Sequence, residues 1–207
     1  MFKILKNLFQ KKPECKYVAG PGFYGTDIWK IVADRAFHNL DKGVRITGEV
    51  IGYTPTGKMI QPHYDYGVAM NELDFLVFKV DVVNSDGESF TMSHPQMVEY
   101  CQKKGFRTPE CYYYGKAKDL FPELNVENHW HQNLLAQLES TFLNKKEVTC
   151  IDKTLPEEGV VLNIQKPLGW KALKLKDLTF LGHETKVLDS GETGVEEQTE
   201  TIGDNDF

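Results

Sequence analysis

Hydrophobic residues recur at two spacings along this chain, and the switches between those spacings mark out its elements. In FKILKNLFQKK, Phe2, Leu5 and Phe9 fall on one helical stripe joined by Ile4 and Leu8, with lysines on the other side. The pattern predicts a short amphipathic helix that packs on the body and is stopped by Pro13; with its linker it takes up residues 1–17. A glycine-rich turn segment, KYVAGPGFYGT, comes next. Ile28, Ile31, Val32 and Ala33 then mark the buried face of a helix expected from Asp27 to about Leu40, with Thr26 as its N-cap.

The period changes to two between Gly43 and Tyr53, where Val44, Ile46 and Val50 share one face of an expected strand. Residues 54–71 carry turn chemistry and read as a loop. LDFLVFKVDVV, Leu73 to Val83, is a long run of β-branched and aromatic residues, the composition of a central strand. NSDGES predicts the turn of a hairpin. Ser93 and Pro95 open a helix through Met97, Val98 and Cys101, and Gly105 closes it. CYYYGK is expected as a strand that buries one of Tyr112, Tyr113 and Tyr114; the alternative is that the rings stack on RNA bases. A helix from Glu127 to Leu143, strands at Glu158–Gln165 and Trp170–Lys176, and a helix to about Leu188 complete the body. Strands and helices mix without strict alternation, which predicts an α+β fold.

Composition sharpens this picture in two places. The net charge of −6 is concentrated at the end: from His183 to Phe207 there are eight acids and one base, so the preceding body is close to neutral. Residues 191–207 are expected as an acidic, disordered tail, too polar to bury a core of their own. Cys15, Cys101, Cys111 and Cys150 are scattered without a Cys-x-x-Cys pair, as in a reducing compartment. There is no 18-residue apolar run, and the first residues lack the core of a signal peptide; the expectation is a cytoplasmic protein with no membrane partner.

Candidate chemistry lies where charged residues interrupt apolar strands. In VRITGEVIGY, Glu49 follows Gly48 in mid-strand. In FLVFKVDV, Lys79 and Asp81 share one face and Phe78 points to the other. In PEEGVVLNIQ, Glu158 precedes Gly159 and an apolar run; in WKALKLKDL, Lys174 and Lys176 project to one side. A lysine pair within a strand needs a counter-charge, which phosphate oxygens, Glu49 or Glu158 would supply. Each feature alone is what a solvated strand edge also carries. His129 and His131 suggest a metal pair, but alternate residues of a helix diverge too far to share one ion. His63, Tyr64 and Tyr66 lie in the loop after the Gly-Glu strand, within reach of a substrate bound there.

Taken in order, Gly-Glu, Phe-Lys-Val-Asp, Glu-Gly-Val-Val-Leu and Lys-x-Lys resemble the later motifs of the covalent nucleotidyltransferases, the superfamily of RNA ligases, DNA ligases and mRNA capping enzymes. The likeness is greatest to the small ATP-dependent RNA ligases of the T4 ligase-2 and RNA-editing-ligase kind. GEVIGYTPTGKMIQPHYDYG is similar to their Gly-Glu strand and following loop, and FLGHETKVLD to the helix after the lysine pair. The resemblance covers about residues 18–190. It implies a nucleotidyltransferase (ATP-grasp-like ligase adenylation) domain with an antiparallel sheet and flanking helices, ATP and Mg²⁺ as cofactors, and RNA ends or nicked RNA as partners in RNA repair. It also implies roles: Glu49 on the ribose, Phe78 stacked on adenine, Glu158 near the metal-bound phosphates, and Lys174 and Lys176 on the α-phosphate as the catalytic pair.

One part of the family pattern is absent from the sequence. The nucleophile of such ligases is the lysine of Lys-x-(Asp/Asn)-Gly, upstream of the Gly-Glu strand. Of Lys3, Lys6, Lys11, Lys12, Lys16, Lys30 and Lys42, none begins that motif. By the resemblance the domain is therefore N-terminally incomplete. Its lysine is expected from a complementing upstream fragment, or the chain is a non-catalytic nucleotide- or RNA-binding remnant, or one of these seven lysines serves in an altered motif.

Overall fold

The computed structural model describes residues 24–124, 129–143, 154–166 and 169–190. The expected helix at residues 2–12 and the acidic tail at 191–207 lie outside the described residues. The fold is α+β, with small antiparallel sheets. Helix α1 spans Ile28–Ala36, strand β1 Val44–Gly52, β2 Leu73–Val83 and β3 Ser89–Thr91. Helices α2, His94–Lys104, α3, Ala117–Leu120, and α4, Trp130–Phe142, precede a hairpin of β4, Gly159–Lys166, and β5, Gly169–Lys176; α5, Leu178–Asp189, ends the body.

Beginnings and ends follow from capping. Asp27, rather than the expected Thr26, caps α1: its carboxylate accepts the Lys30 N–H at 2.9 Å. The helix ends at Ala36 and tightens into a 3₁₀ turn over Phe37–Asn39, short of the expected Leu40. Helix α2 opens after Ser93 and closes at a left-handed Gly105, as the sequence predicts, and the structure adds a capping box between Ser93 and Gln96.

β1, β2 and β3 form an antiparallel sheet with β2 central. β3 pairs only with Asp81, Val82 and Val83 of β2. At Val77 the same edge is continued by Arg107, whose carbonyl accepts the Val77 N–H at 2.8 Å. The β1–β2 register shifts between Thr47 and Gly48: Thr47 pairs with Lys79 but Gly48 with Val77, so Phe78 is the extra residue of a bulge. Gly48 faces this bulge because nothing larger fits; a Cβ there would lie 2.9 Å from two ring carbons of Phe75 and still closer to the Leu76 carbonyl.

The bulge transfers the core face from odd to even positions. Leu73, Phe75 and Val77 before it, and Val80 after it, join one core with Ile28 and Val32 of α1 and Met97 and Cys101 of α2. Both helices therefore cover the same side of the sheet. Val77 and Val80 are fully buried, and such side chains contribute roughly 1.5–3 kcal/mol each. Burial also pushes the Cys101 thiol up to about 11, so it is an inert core residue.

β4 and β5 form a separate two-stranded sheet. Leu162 and Leu175 pack on the cluster of Phe121 with Leu134 and Leu138 of α4. A third cluster joins the loop after β1 to α5: Tyr64, 1% exposed, packs with Leu155 and Phe180. Its hydroxyl donates to the Pro156 carbonyl at 2.8 Å, across 92 residues of sequence. The expectation that Tyr64 reaches a substrate is thus overturned; the ring is a buried pin. Residues 111–116 form no strand, and Tyr112, Tyr113 and Tyr114 are 42%, 40% and 58% exposed, so none is a core residue as expected. The run fails as a strand because it adds to no sheet: the Tyr113 hydroxyl instead bonds the Lys116 carbonyl three residues on.

Candidate functional site

The candidate site grows from the side of the first sheet that carries no helix. Register places Arg45, Thr47 and Glu49 of β1 beside Asp81, Lys79 and Leu76 of β2, directly opposite and so on a common face. Arg45, Thr47 and Glu49 are all exposed. Asp81 is the buried centre of this face. One carboxylate oxygen accepts Arg45 Nη2 at 2.8 Å, Arg45 Nε at 3.1 Å and Lys79 Nζ at 3.1 Å; the other accepts the Thr91 hydroxyl at 2.6 Å. Burial alone pushes this carboxyl up, but the hydrogen bonds from Thr91, Arg45 and Lys79, with the Lys79 charge, outweigh it and hold the group below its ordinary value.

The β4–β5 hairpin presents two unlike faces for the same reason of register. Leu162, Leu173 and Leu175 share the side that packs toward α4, while Trp170, Ala172, Lys174 and Lys176 share the other. That second side looks toward the first sheet. Lys79 Nζ lies 5.8 Å from the centroid of the Trp170 ring, within the range of a cation–π contact. This contact sets the polar strand pair of the first sheet beside the lysine-bearing face of β5.

On the same face of β5 as Trp170, Lys174 Nζ stands 3.5 Å from Glu158 Oε1, and Lys176 Nζ 3.5 Å from Glu184 Oε2. Of the two carboxylates expected to balance the lysines, Glu158 does so. Glu49 is joined to neither by an ion pair among the described residues. Glu184, which sequence reasoning missed, takes its place for Lys176 because a sharp strand-to-helix junction brings α5 back over the strand end. The junction is made by Asp177, fully buried, whose carboxylate accepts the Thr179 N–H at 2.6 Å and the Phe180 N–H at 3.4 Å. Lys176 Nζ also lies 5.8 Å above the Phe180 ring, which meets Tyr64 edge-on at 6.2 Å. The loop pin therefore backs the lysine's position.

The Glu158-Gly159 step has a steric cause. Gly159 has φ +143, and a Cβ there would fall 2.9 Å from the Leu175 carbonyl carbon and closer still to its oxygen. Phe78, the bulge residue, is half-buried and is absent from all three core clusters. Lys79 and Asp81 do share a face as the sequence predicts.

His129, with left-handed φ, and His131 are both exposed, and no group of three or more potential metal ligands occurs among the described residues. A pocket of about 160 Å³ opens on the helix-covered side of the first sheet, lined by Val32, Arg35, His38, Leu73, Lys104 and Phe106. No helix among the described residues is long and apolar enough to cross a membrane. No family model, curated protein or solved structure matches the chain.

Proposed function

We propose that the space between the two sheets is the nucleotide cleft of an ATP-dependent RNA ligase, and that this chain supplies its binding and charge-neutralising residues. The observation that carries the reading is the Lys79–Trp170 contact, which turns the lysine-bearing face of β5 toward the face of Glu49. Two hairpins distant in sequence thereby offer side chains of the types a nucleoside triphosphate needs. In this reading Glu49 accepts from the ribose hydroxyls and Phe78 stacks on adenine. Lys174 and Lys176 exchange their carboxylate partners for α-phosphate oxygens. At about 4 Å, a lysine and a phosphate charge attract by on the order of 4 kcal/mol at an effective dielectric near 20. Nucleotidyl transfer depends chiefly on such positioning and charge neutralisation.

Mg²⁺ fits this cleft as an ion carried in on the triphosphate, not as a resident one. Such an ion needs only one or two protein carboxylates, and Glu158, already set beside Lys174, is the residue that would hold it. When bound, it screens the phosphate charge. The sequence holds no Lys-x-(Asp/Asn)-Gly, so the lysine that accepts adenylate belongs to another polypeptide segment in this reading.

Calorimetric titration with ATP and Mg²⁺ tests the proposal. The expected affinity is about 100 μM or weaker, roughly 5.5 kcal/mol, since in this reading the nucleophile-bearing wall of the site comes from another segment. Lys174→Ala and Lys176→Ala should each weaken it about tenfold, and no acid-stable protein–AMP adduct should form. Affinity unchanged in both variants would remove the cleft assignment. Tight binding with a stoichiometric lysyl-AMP adduct would place the nucleophile among this chain's own lysines.

A further inference from the structure

The three consecutive tyrosines supply a second surface, outside the cleft. Tyr112, Tyr113 and Tyr114 are each at least 40% exposed, and each is anchored on one side. Tyr114 stacks on His94, with centroids 6.1 Å apart and planes 29° apart. Tyr112 lies 5.7 Å from Phe142 at 30°, and its hydroxyl donates to Glu157 at 3.1 Å. Tyr113 folds over Gly115, with its hydroxyl on the Lys116 carbonyl. The rings are thus held, yet much of their surface stays in water. A loop that only joined α2 to α3 would gain by burying such rings or replacing them with polar residues.

Position and charge indicate what covers them. From Cys111 to Lys118 the only charged residues are Lys116 and Lys118, and neither forms an ion pair among the described residues. The surface is also joined to the cleft: Glu157, which receives Tyr112, precedes Glu158, the partner of Lys174. Pre-anchored aromatic planes beside unpaired cations suit unstacked bases on a phosphate backbone, because every base has a π face and each phosphate a charge.

We infer that Tyr112–Tyr114 with Lys116 and Lys118 form a stacking platform for single-stranded RNA, leading toward the cleft. The inference rests on the proposal that the cleft takes an RNA ligase's substrates, and the platform is an exosite outside that cleft. Stacking should dominate sequence preference, so oligouridine and oligoadenosine should both bind, and duplex RNA of equal length should bind several-fold more weakly.

The test is fluorescence anisotropy of the full chain with a labelled twelve-nucleotide single-stranded RNA at low salt, without ATP. Tyr114→Ala should weaken binding about five- to tenfold, the usual effect of losing one base–aromatic stack. Tyr114→Phe should stay within about twofold, because it keeps the ring. Lys116→Ala should weaken binding and flatten its salt dependence. ATP titration of the same variants separates the two proposals. RNA binding lost with ATP binding intact confirms the platform as a separate site, and ATP binding that fails while tyrosine-dependent RNA binding persists removes the cleft alone. Wild-type RNA affinity in Tyr114→Ala, equal loss in Tyr114→Phe, or no RNA binding at all overturns the platform. So does a concentration-dependent dimer abolished by Tyr114→Ala, which would give the rings to a second copy of the chain.

Discussion

Asp81→Asn isolates the charge at the centre of the first sheet's open face. The carboxylate is 1% exposed and receives two nitrogens of Arg45, one of Lys79 and the Thr91 hydroxyl. Asparagine keeps the shape and the Thr91 bond but leaves two cations without their counter-charge. Hydrogen bonds to a charged group are worth about 1.5–3 kcal/mol against about 1 for neutral ones. Arg45 is 61% exposed, so solvent screening reduces its share to that of a surface pair, while Lys79 at 31% retains more. The expected loss is about 2–3 kcal/mol, below the roughly 3–5 of breaking a fully buried pair. In urea, with a slope of about 2 kcal/mol/M, the midpoint should fall by about 1 M. The pH dependence follows from the lowered carboxyl. Its stabilisation is fully present above the unfolded value of about 3.9 and is lost as pH falls through the lower folded value. The gap between wild type and variant should therefore be constant from neutrality to about pH 5 and close below pH 4. A shift under about 0.25 M, or a gap that closes well above pH 5, would mean that burial outweighs the partners and that the reasoning is wrong.

Two further substitutions test the supports of the fold around these strands. Tyr64→Phe removes only the hydroxyl that binds the Pro156 carbonyl and should cost about 1–3 kcal/mol in chemical denaturation; an unchanged midpoint would show that the loop is not pinned there. Gly48→Ala forces a methyl against the Phe75 ring and the Leu76 carbonyl and should destabilise by about 1–3 kcal/mol or more, as overpacking does; a neutral result in thermal unfolding would place the bulge elsewhere.

The regular parts of this fold were legible because they obey a period. The strand at Leu73–Val83, the capped helix from Ser93 and the lysines of β5 on one face all follow from spacing alone. What spacing could not carry is any contact made across the chain. Tyr64 looks like a loop aromatic until Pro156 and Phe180 close over it, and Glu184 looks like a solvated helix residue until Asp177 turns α5 back onto Lys176. The tyrosine run matched the composition of a strand, but a strand also needs a neighbour to receive its N–H groups, and composition does not name one.

The bulge at Phe78 is the instructive middle case. Strict alternation along β2 puts Phe75, Val77, Lys79 and Asp81 on one side, which would bury two charges in the core with α1 and α2. The extra residue resolves the conflict by changing face once, so that Val80 continues the core while Lys79 and Asp81 stay on the open face. The sequence carries both halves of that conflict in plain view: an apolar run that wants burial and a Lys-x-Asp pair that cannot have it. Gly48, small enough to sit opposite the shift, marks where it happens. A glycine in mid-strand, directly across from a reversal in hydrophobic parity, was the available signal that the strand changes face at Phe78.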